Sequence, residues 1–214
     1  MDIKSAIAAE RGEFAEVLDG LAAEDWDAPS LCAGWRVREV AAHMSLGFRC
    51  PLPRMMRELI VARGSLHRMT DQCARKDAAR MTTGEMASAL RDNARHPWKP
   101  PVGGITAALG HDVVHGLDIT VALGHEREVP QERVAALLAV VTPKTVKFFG
   151  ADLGGVELYA EDLGWSYGTG SRLSGSAQDL LLLTYGRKLP PGRLRGEAAE
   201  RFALRLPEPT GSDG

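Results

Sequence analysis

His111 and His115, four residues apart in Gly110-His-Asp-Val-Val-His-Gly-Leu-Asp118, have the type and spacing that begin a divalent-metal site. On a helix, residues four apart lie about 40° from each other around the axis, so the two imidazoles stack on one face. Two ligands do not complete a catalytic centre, which usually takes three from the protein and keeps one position open for water or substrate. The third must come from another helix, and His43, in Arg36-Val-Arg-Glu-Val-Ala-Ala-His-Met44, is the candidate. Asp118 either accepts the hydrogen bond that orients a ligating imidazole or faces solvent near the helix end. A solvated helix face is the plain alternative for the pair, and a flanking core histidine for His43.

The elements that must position these residues are mostly helical. Ile3, Ala6, Ile7, Phe14, Val17, Leu18 and Leu21 recur at three and four residues, so the first twenty or so residues read as an amphipathic helix with Glu10, Arg11 and Glu13 on its polar face. Asp25 to Trp35 is rich in turn formers and feeds a second helix, from about Val37 to Phe48, with His43 at the edge of a Val37/Val40/Ala41/Met44 stripe. A third follows Pro51 through Met55, Leu59 and Ile60 toward Met69, with Gly64 as an interruption. Thr82-Thr-Gly-Glu85 is a capping box that opens a fourth. After a stiff Pro/Gly loop comes the helix of the histidine pair, ending near Gly124. On it Leu109, Val113, Leu117 and Val121 form an apolar flank, beside a polar stripe of His111, His115 and Asp118 within an arc of roughly 60°. Pro130 begins one more helix, with Val134, Leu137, Leu138 and Val141.

The pattern changes after Gly150. Val156-Glu-Leu-Tyr-Ala160 alternates as a strand does, Gly164 to Gly175 is glycine-rich with a second strand at Arg172-Leu-Ser174, and Ser176-Ala-Gln-Asp179 caps a short apolar helix, Leu180 to Tyr185, stopped by Gly186. Phe202 to Leu206 reads as a last strand. The expected organisation is a helical body over 1–150, a small α/β appendage over 151–206 and a disordered tail over 207–214.

With 214 residues and 44% hydrophobic composition the chain can bury one substantial core. A net charge of −2 with dispersed basic residues gives no footprint for nucleic acid or an anionic membrane. No apolar run nears the roughly 20 residues that span a bilayer, and the N-terminus reads as a helix and not as a signal peptide, so a cytoplasmic protein is expected. Cys32, Cys50 and Cys73 are odd in number and lack a CxxC arrangement, which fits reduced thiols, most simply buried small hydrophobes, with a ligand or nucleophile among them as the alternative. Glu39, one turn before His43, reads as a surface carboxylate, with a base or a ligand-orienting group as the alternative; Trp35 reads as a loop anchor, and His67, His96 and His125 as surface or loop residues.

Three segments, in this order, carry a resemblance: Leu31-Cys-Ala-Gly-Trp-Arg-Val-Arg-Glu-Val-Ala-Ala-His43, Val114-His-Gly-Leu-Asp118 and Ser174-Gly-Ser-Ala-Gln-Asp-Leu-Leu-Leu-Leu-Thr-Tyr-Gly-Arg187. Together they resemble the mycothiol-dependent maleylpyruvate isomerase family, part of the DinB-like superfamily of metal-binding helical bundles. The resemblance implies a mainly α fold, a four-helix-bundle core around one divalent metal, zinc in the isomerase and nickel as an alternative, with His43, His111 and His115 as ligands. The isomerase has a glutamate where this chain has His111. A neutral imidazole there leaves a more positive centre, which lowers the pKa of a bound water or thiol further.

The resemblance also implies mycothiol as cosubstrate and a small electrophile as substrate, with a homodimer among the assembly states. A metal-bound thiol becomes a thiolate at neutral pH and attacks the electrophile. Reversible addition to an activated double bond gives isomerisation, and retention of the thiol gives S-transfer. Arg187 is the nearest match to a functional arginine of the isomerase, where a guanidinium would hold a substrate carboxylate; capping of helix carbonyls is its structural alternative. Two other classes of function stand beside this one: a non-enzymatic metal-binding bundle used in stress response or regulation, and a small-ligand binder built on a shortened sterol-carrier-type appendage with a structural metal.

Overall fold

The computed structural model describes residues 1–204. The chain divides into two compact units, Met1–Val140 and a second that begins at Val141. The first holds helices α1 (Ile3–Asp19), α2 (Val37–Met44), α3 (Leu46–Arg49), α4 (Leu52–Val61), α5 (Leu66–Ala78), α6 (Thr83–Asp92), α7 (Gly104–Thr120) and α8 (Gln131–Leu138). The second holds α9 (Pro143–Phe148), strands β1 (Val156–Ala160), β2 (Trp165–Gly168) and β3 (Ser171–Gly175), and α10 (Ala177–Thr184). The fold is mainly α, with a four-helix-bundle core in the first unit and a small α/β arrangement in the second.

Four helices, α1, α2, α6 and α7, share one core. Phe14 and Leu18 of α1, Val40 and Met44 of α2, Met86 and Leu90 of α6 and Ile119 of α7 meet in a single buried cluster. Each leucine so buried contributes about 1.5–3 kcal/mol, which holds the helices against their conformational entropy. Local signals fix where they start. Asp2 caps α1 by accepting from Ser5 N, and the Thr82–Glu85 capping box opens α6 as its sequence predicts. The helix expected after Pro51 is two helices: Arg63 and Gly64 take positive φ (53° and 74°), which ends α4, and Ser65 caps α5. The helix from Val37 likewise stops at Met44, with α3 as a separate short turn.

The face of α1 read as polar is not a solvent face. Glu10 and Arg11 are completely buried. Glu10 accepts from Arg127 and Arg133, both at 2.7 Å, while Arg11 pairs with Asp112 of α7. Periodicity cannot tell a solvated charge from a buried paired one, because the partners are more than a hundred residues away. Glu39 is also buried, held by the Arg36 side chain and backbone at the start of α2.

In the second unit the sheet order is β2-β1-β3, with β2 antiparallel and β3 parallel to β1. Strand β2 lies in the stretch read as glycine-rich. Only Thr169 and Gly170 join β2 to β3, although β3 lies on the far side of β1. The chain therefore passes tightly across the start of β1. A Cβ on Gly170 (φ +133°) would come to 2.1 Å from the Gly155 carbonyl oxygen, so the crossing requires glycine. Val156, Leu158 and Ala160 form the buried face of β1 and pack with α10, which Ser176 caps and Gly186 follows with φ 75°. The strand read over Phe202–Leu206 is instead a 3-10 turn, Ala199–Phe202, followed by an isolated bridge from Ala203 to Leu189. The end of that segment and the tail 207–214 lie outside the described residues. Among the described residues no helix is long and apolar enough to cross a membrane.

Candidate metal centre

Helix α7 runs through the first unit with its apolar flank fully enclosed: Leu109, Val113 and Leu117 are at 0% exposure. That packing fixes the rotation of the helix and turns His111 and His115 toward the last turn of α2, where His43 stands. The three imidazoles form a near-equilateral triangle, with ring centroids 5.0 Å (His43–His111), 4.9 Å (His43–His115) and 4.8 Å (His111–His115) apart. One ring nitrogen of each lies within 4.8 Å of those of the other two. His43 Nε2 and His111 Nε2 approach to 3.2 Å. Two nitrogens on a tetrahedral ion with bonds of about 2.0–2.1 Å are separated by about 3.3–3.4 Å, so this pair fits a small transition-metal ion.

Both helix histidines are oriented by carboxylates of α7 itself. His115 Nδ1 lies 2.9 Å from Asp118 Oδ2, and His111 Nδ1 lies 2.8 Å from Asp112 Oδ1. A carboxylate can only accept, so both rings carry the proton on Nδ1 and turn the Nε2 lone pair away from it. Cys32, His115 and Asp118 form a second, overlapping group, which meets at Nδ1 of His115, 3.7 Å from Cys32 Sγ and 2.9 Å from Asp118 Oδ2.

The loop before α2 completes this side. Leu31 N donates to the Asp118 carbonyl at 2.9 Å, Ser30 Oγ to the Trp35 carbonyl at 2.9 Å, and Gly34 adopts φ 77° to close the turn. The Cys32 thiol thereby reaches Asp118 Oδ2 at 2.9 Å and lies 3.7 Å from His115 Nδ1. Trp35 is anchored through Nε1 to Asp71 Oδ1 (2.7 Å) and sets its ring 5.2 Å from that of His43. Trp98, from the proline-rich loop, meets His111 edge to face at 5.0 Å. It can lie there because Gly47 has no side chain, since a Cβ would fall 2.0 Å from the indole. The histidines are thus half-buried between two tryptophans, and the side chains of His111 and His115 keep 11% and 14% of their exposure.

Cys50 and Cys73 are buried in a small apolar cluster, where burial pushes both thiols above the usual range. His67, His96 and His125 are exposed. Arg187 belongs to the second unit, where its Nη1 donates to the Tyr185 carbonyl at 3.0 Å. Asp112, Arg11 and Trp98 are neighbours of the site that the sequence does not assign to it, and Cys32 is the one of the three cysteines that stands beside it. For Asp112 a signal was present: it is a carboxylate in a helix otherwise apolar on that side.

The first unit is thus a helical bundle in which three histidines from two helices form a group that could hold a metal ion. The model of the mycothiol maleylpyruvate isomerase N-terminal domain family matches residues 7–120, more than half of the chain and all of the histidine cluster, and the chain belongs to that family. Among solved structures, the mycothiol-dependent maleylpyruvate isomerase is similar over 97% of this chain and 95% of that one, at 14% identity with a TM-score of 0.62. A histidine-to-alanine mutant of the isomerase is similar over the same shares, at 15% identity and a TM-score of 0.52. Such low identities establish a shared fold. A search of curated protein sequences gave no significant match.

Proposed function

We propose that this protein is a cytoplasmic, metal-dependent enzyme that activates mycothiol, or a related low-molecular-weight thiol, for isomerisation of or S-transfer to a small electrophile. The observation that carries this reading is the convergence of His43, His111 and His115, two of whose nitrogens already stand 3.2 Å apart. The three imidazoles would hold one divalent ion, zinc first and nickel as the alternative, and leave a coordination position for the thiol. Such an ion supplies the positive charge that keeps a thiol deprotonated at neutral pH.

The chain's own groups do the rest. Asp118 holds the proton on His115 Nδ1 and so keeps Nε2 available as a donor. Trp35 and Trp98 cover the rings of His43 and His111 and exclude water from that side. Arg187 is assigned to a substrate carboxylate, for which a guanidinium offers a bidentate fit. The membership of residues 7–120 in the isomerase domain family supports the choice of thiol and of isomerisation.

The test is metal content by mass spectrometry on wild type and His115→Ala, with calorimetric titration of mycothiol into both. One equivalent in the wild type, lost in the variant and required for thiol binding, is the expected result. Metal uptake without thiol affinity would favour a non-enzymatic metal-binding bundle. A wild type that stays metal-free after exposure to zinc and nickel would overturn the reading.

A further inference from the structure

Asp112 is completely buried, and both of its oxygens are committed. Oδ1 accepts from His111 Nδ1 at 2.8 Å, and Oδ2 accepts from Arg11 Nε at 2.7 Å. Arg11, equally buried, extends through Nη1 to the carbonyls of Asn93 (3.3 Å), Ala94 (3.4 Å) and His96 (2.9 Å), in the loop that leads from α6 toward Trp98. Its guanidinium also lies 5.1 Å from the centre of the Phe48 ring. A buried ion pair stabilises a fold little or not at all compared with apolar residues of the same volume. This one joins α1, α7 and the loop between α6 and α7 at the back of a candidate ligand.

We infer that Asp112 and Arg11 are positioning residues for the metal centre: Asp112 fixes the Nδ1–H tautomer and the ring orientation of His111, and Arg11 holds the Asp112 side chain in place. The inference rests on the metal-site reading above. Two consequences follow from the geometry. Asp112 holds the Nδ1 side of His111, so Nε2 is the nitrogen turned toward His43. The loop carrying Trp98 is tied to the same ion pair, so the wall over His111 and the ring itself move as one body.

The experiment compares wild type, Asp112→Asn, the doubly neutral Arg11→Gln/Asp112→Asn, His111→Ala, and His111→Ala/Asp112→Asn. Zinc affinity is read by chelator competition and stability by thermal melting of the metal-free proteins. Asp112→Asn should weaken zinc binding by about 10- to 100-fold, and should also lower the melting temperature, because Arg11 is left buried without its counter-charge. The doubly neutral variant should regain melting temperature without regaining zinc affinity. In the His111→Ala background Asp112→Asn should leave zinc affinity unchanged.

A zinc affinity that recovers together with melting temperature, or an undiminished loss in the His111→Ala background, would make the pair merely structural and overturn the inference. Should the Asn variants not fold, long-range proton–nitrogen NMR on metal-free wild type reads the tautomer directly. An Nδ1–H form of His111 is expected, and an Nε2–H form overturns the inference. Wild type that binds zinc while Asp112→Asn binds it equally well refutes this inference alone, whereas wild type that takes up no metal refutes the metal reading and this one with it.

Discussion

Helices α7 and α10 are both sunk in the interior of their units, but on different terms. Helix α10 buries Leu180, Leu181, Leu182 and Leu183, and its polar residues stay at its ends: Ser176 and Asp179 close the first turn, and Thr184 donates to the Leu181 carbonyl in the last. Helix α7 buries Asp112 in mid-course, beside Leu109, Val113 and Leu117, and Asp118 and Thr120 in its last turn. Each buried leucine is favourable by itself, while each buried carboxylate is costly unless a partner is built for it. The structure supplies such partners in α7: Arg11 and His111 for Asp112, Cys32 and His115 for Asp118. A carboxylate in mid-helix therefore needs partners from other elements or from its own helix, whereas one in the first turn finds them in the cap.

The comparison breaks most sharply on paired substitutions. His43→Ala should abolish the bound metal equivalent while leaving the fold intact. Leu182→Ala should cost about 2–5 kcal/mol in denaturant unfolding and leave metal stoichiometry at the wild-type value. Metal content by mass spectrometry beside urea titration reads both, and a His43→Ala protein that keeps its full equivalent would remove α2 from the site.

A smaller effect should follow from Asp118→Asn. Its carboxylate accepts from both His115 and Cys32, so the amide should weaken metal affinity by about 10- to 100-fold, measured by chelator competition. Unchanged affinity would make Asp118 a packing residue like those of α10. The smallest effect concerns charge far from the histidines. Hydrogen bonds from the Arg133 guanidinium hold the Glu13 carboxyl below the usual range. A carboxyl so lowered stabilises the fold at neutral pH, and that contribution fades as the pH falls through its folded-state value. Glu13→Gln should therefore lower the urea midpoint slightly at pH 7 and by progressively less as the pH is taken down through the acid range, with metal content unaffected.

The sequence made the apolar half of this contrast readable and left most of the polar half out of reach. The 3.6-residue period placed Leu109, Val113 and Leu117 inside and set His111, His115 and Asp118 on one stripe. His43 could be named because it stands at the edge of an apolar stripe in a recognisable segment. Asp112 escaped because it sits about 100° around the helix from His111, and its partner Arg11 is 101 residues away. Glu10, Arg11 and Glu39 were legible as charges and illegible as buried ones, since the guanidiniums and carboxylates that satisfy them come from other elements. Cys32 came to the site through the turn at Gly34, a conformation that spacing alone does not reveal. Strand β2 was hidden because its glycine-rich surroundings read as loop, when those glycines are what lets the chain cross β1.

That crossing sets a rule of length. Leu158 of β1 stands opposite Leu173 of β3, and the two-residue span Thr169–Gly170 is all that sets this register. One residue more or fewer would have no slack to enter, and β3 would slide by a single position. Such a slide turns Leu173 outward and brings Arg172 or Ser174 to the face that β1 and α10 enclose. An exposed loop accepts insertions with little consequence, whereas this one, though it lies at the edge of a small sheet, is fixed in number as firmly as any core residue is fixed in kind.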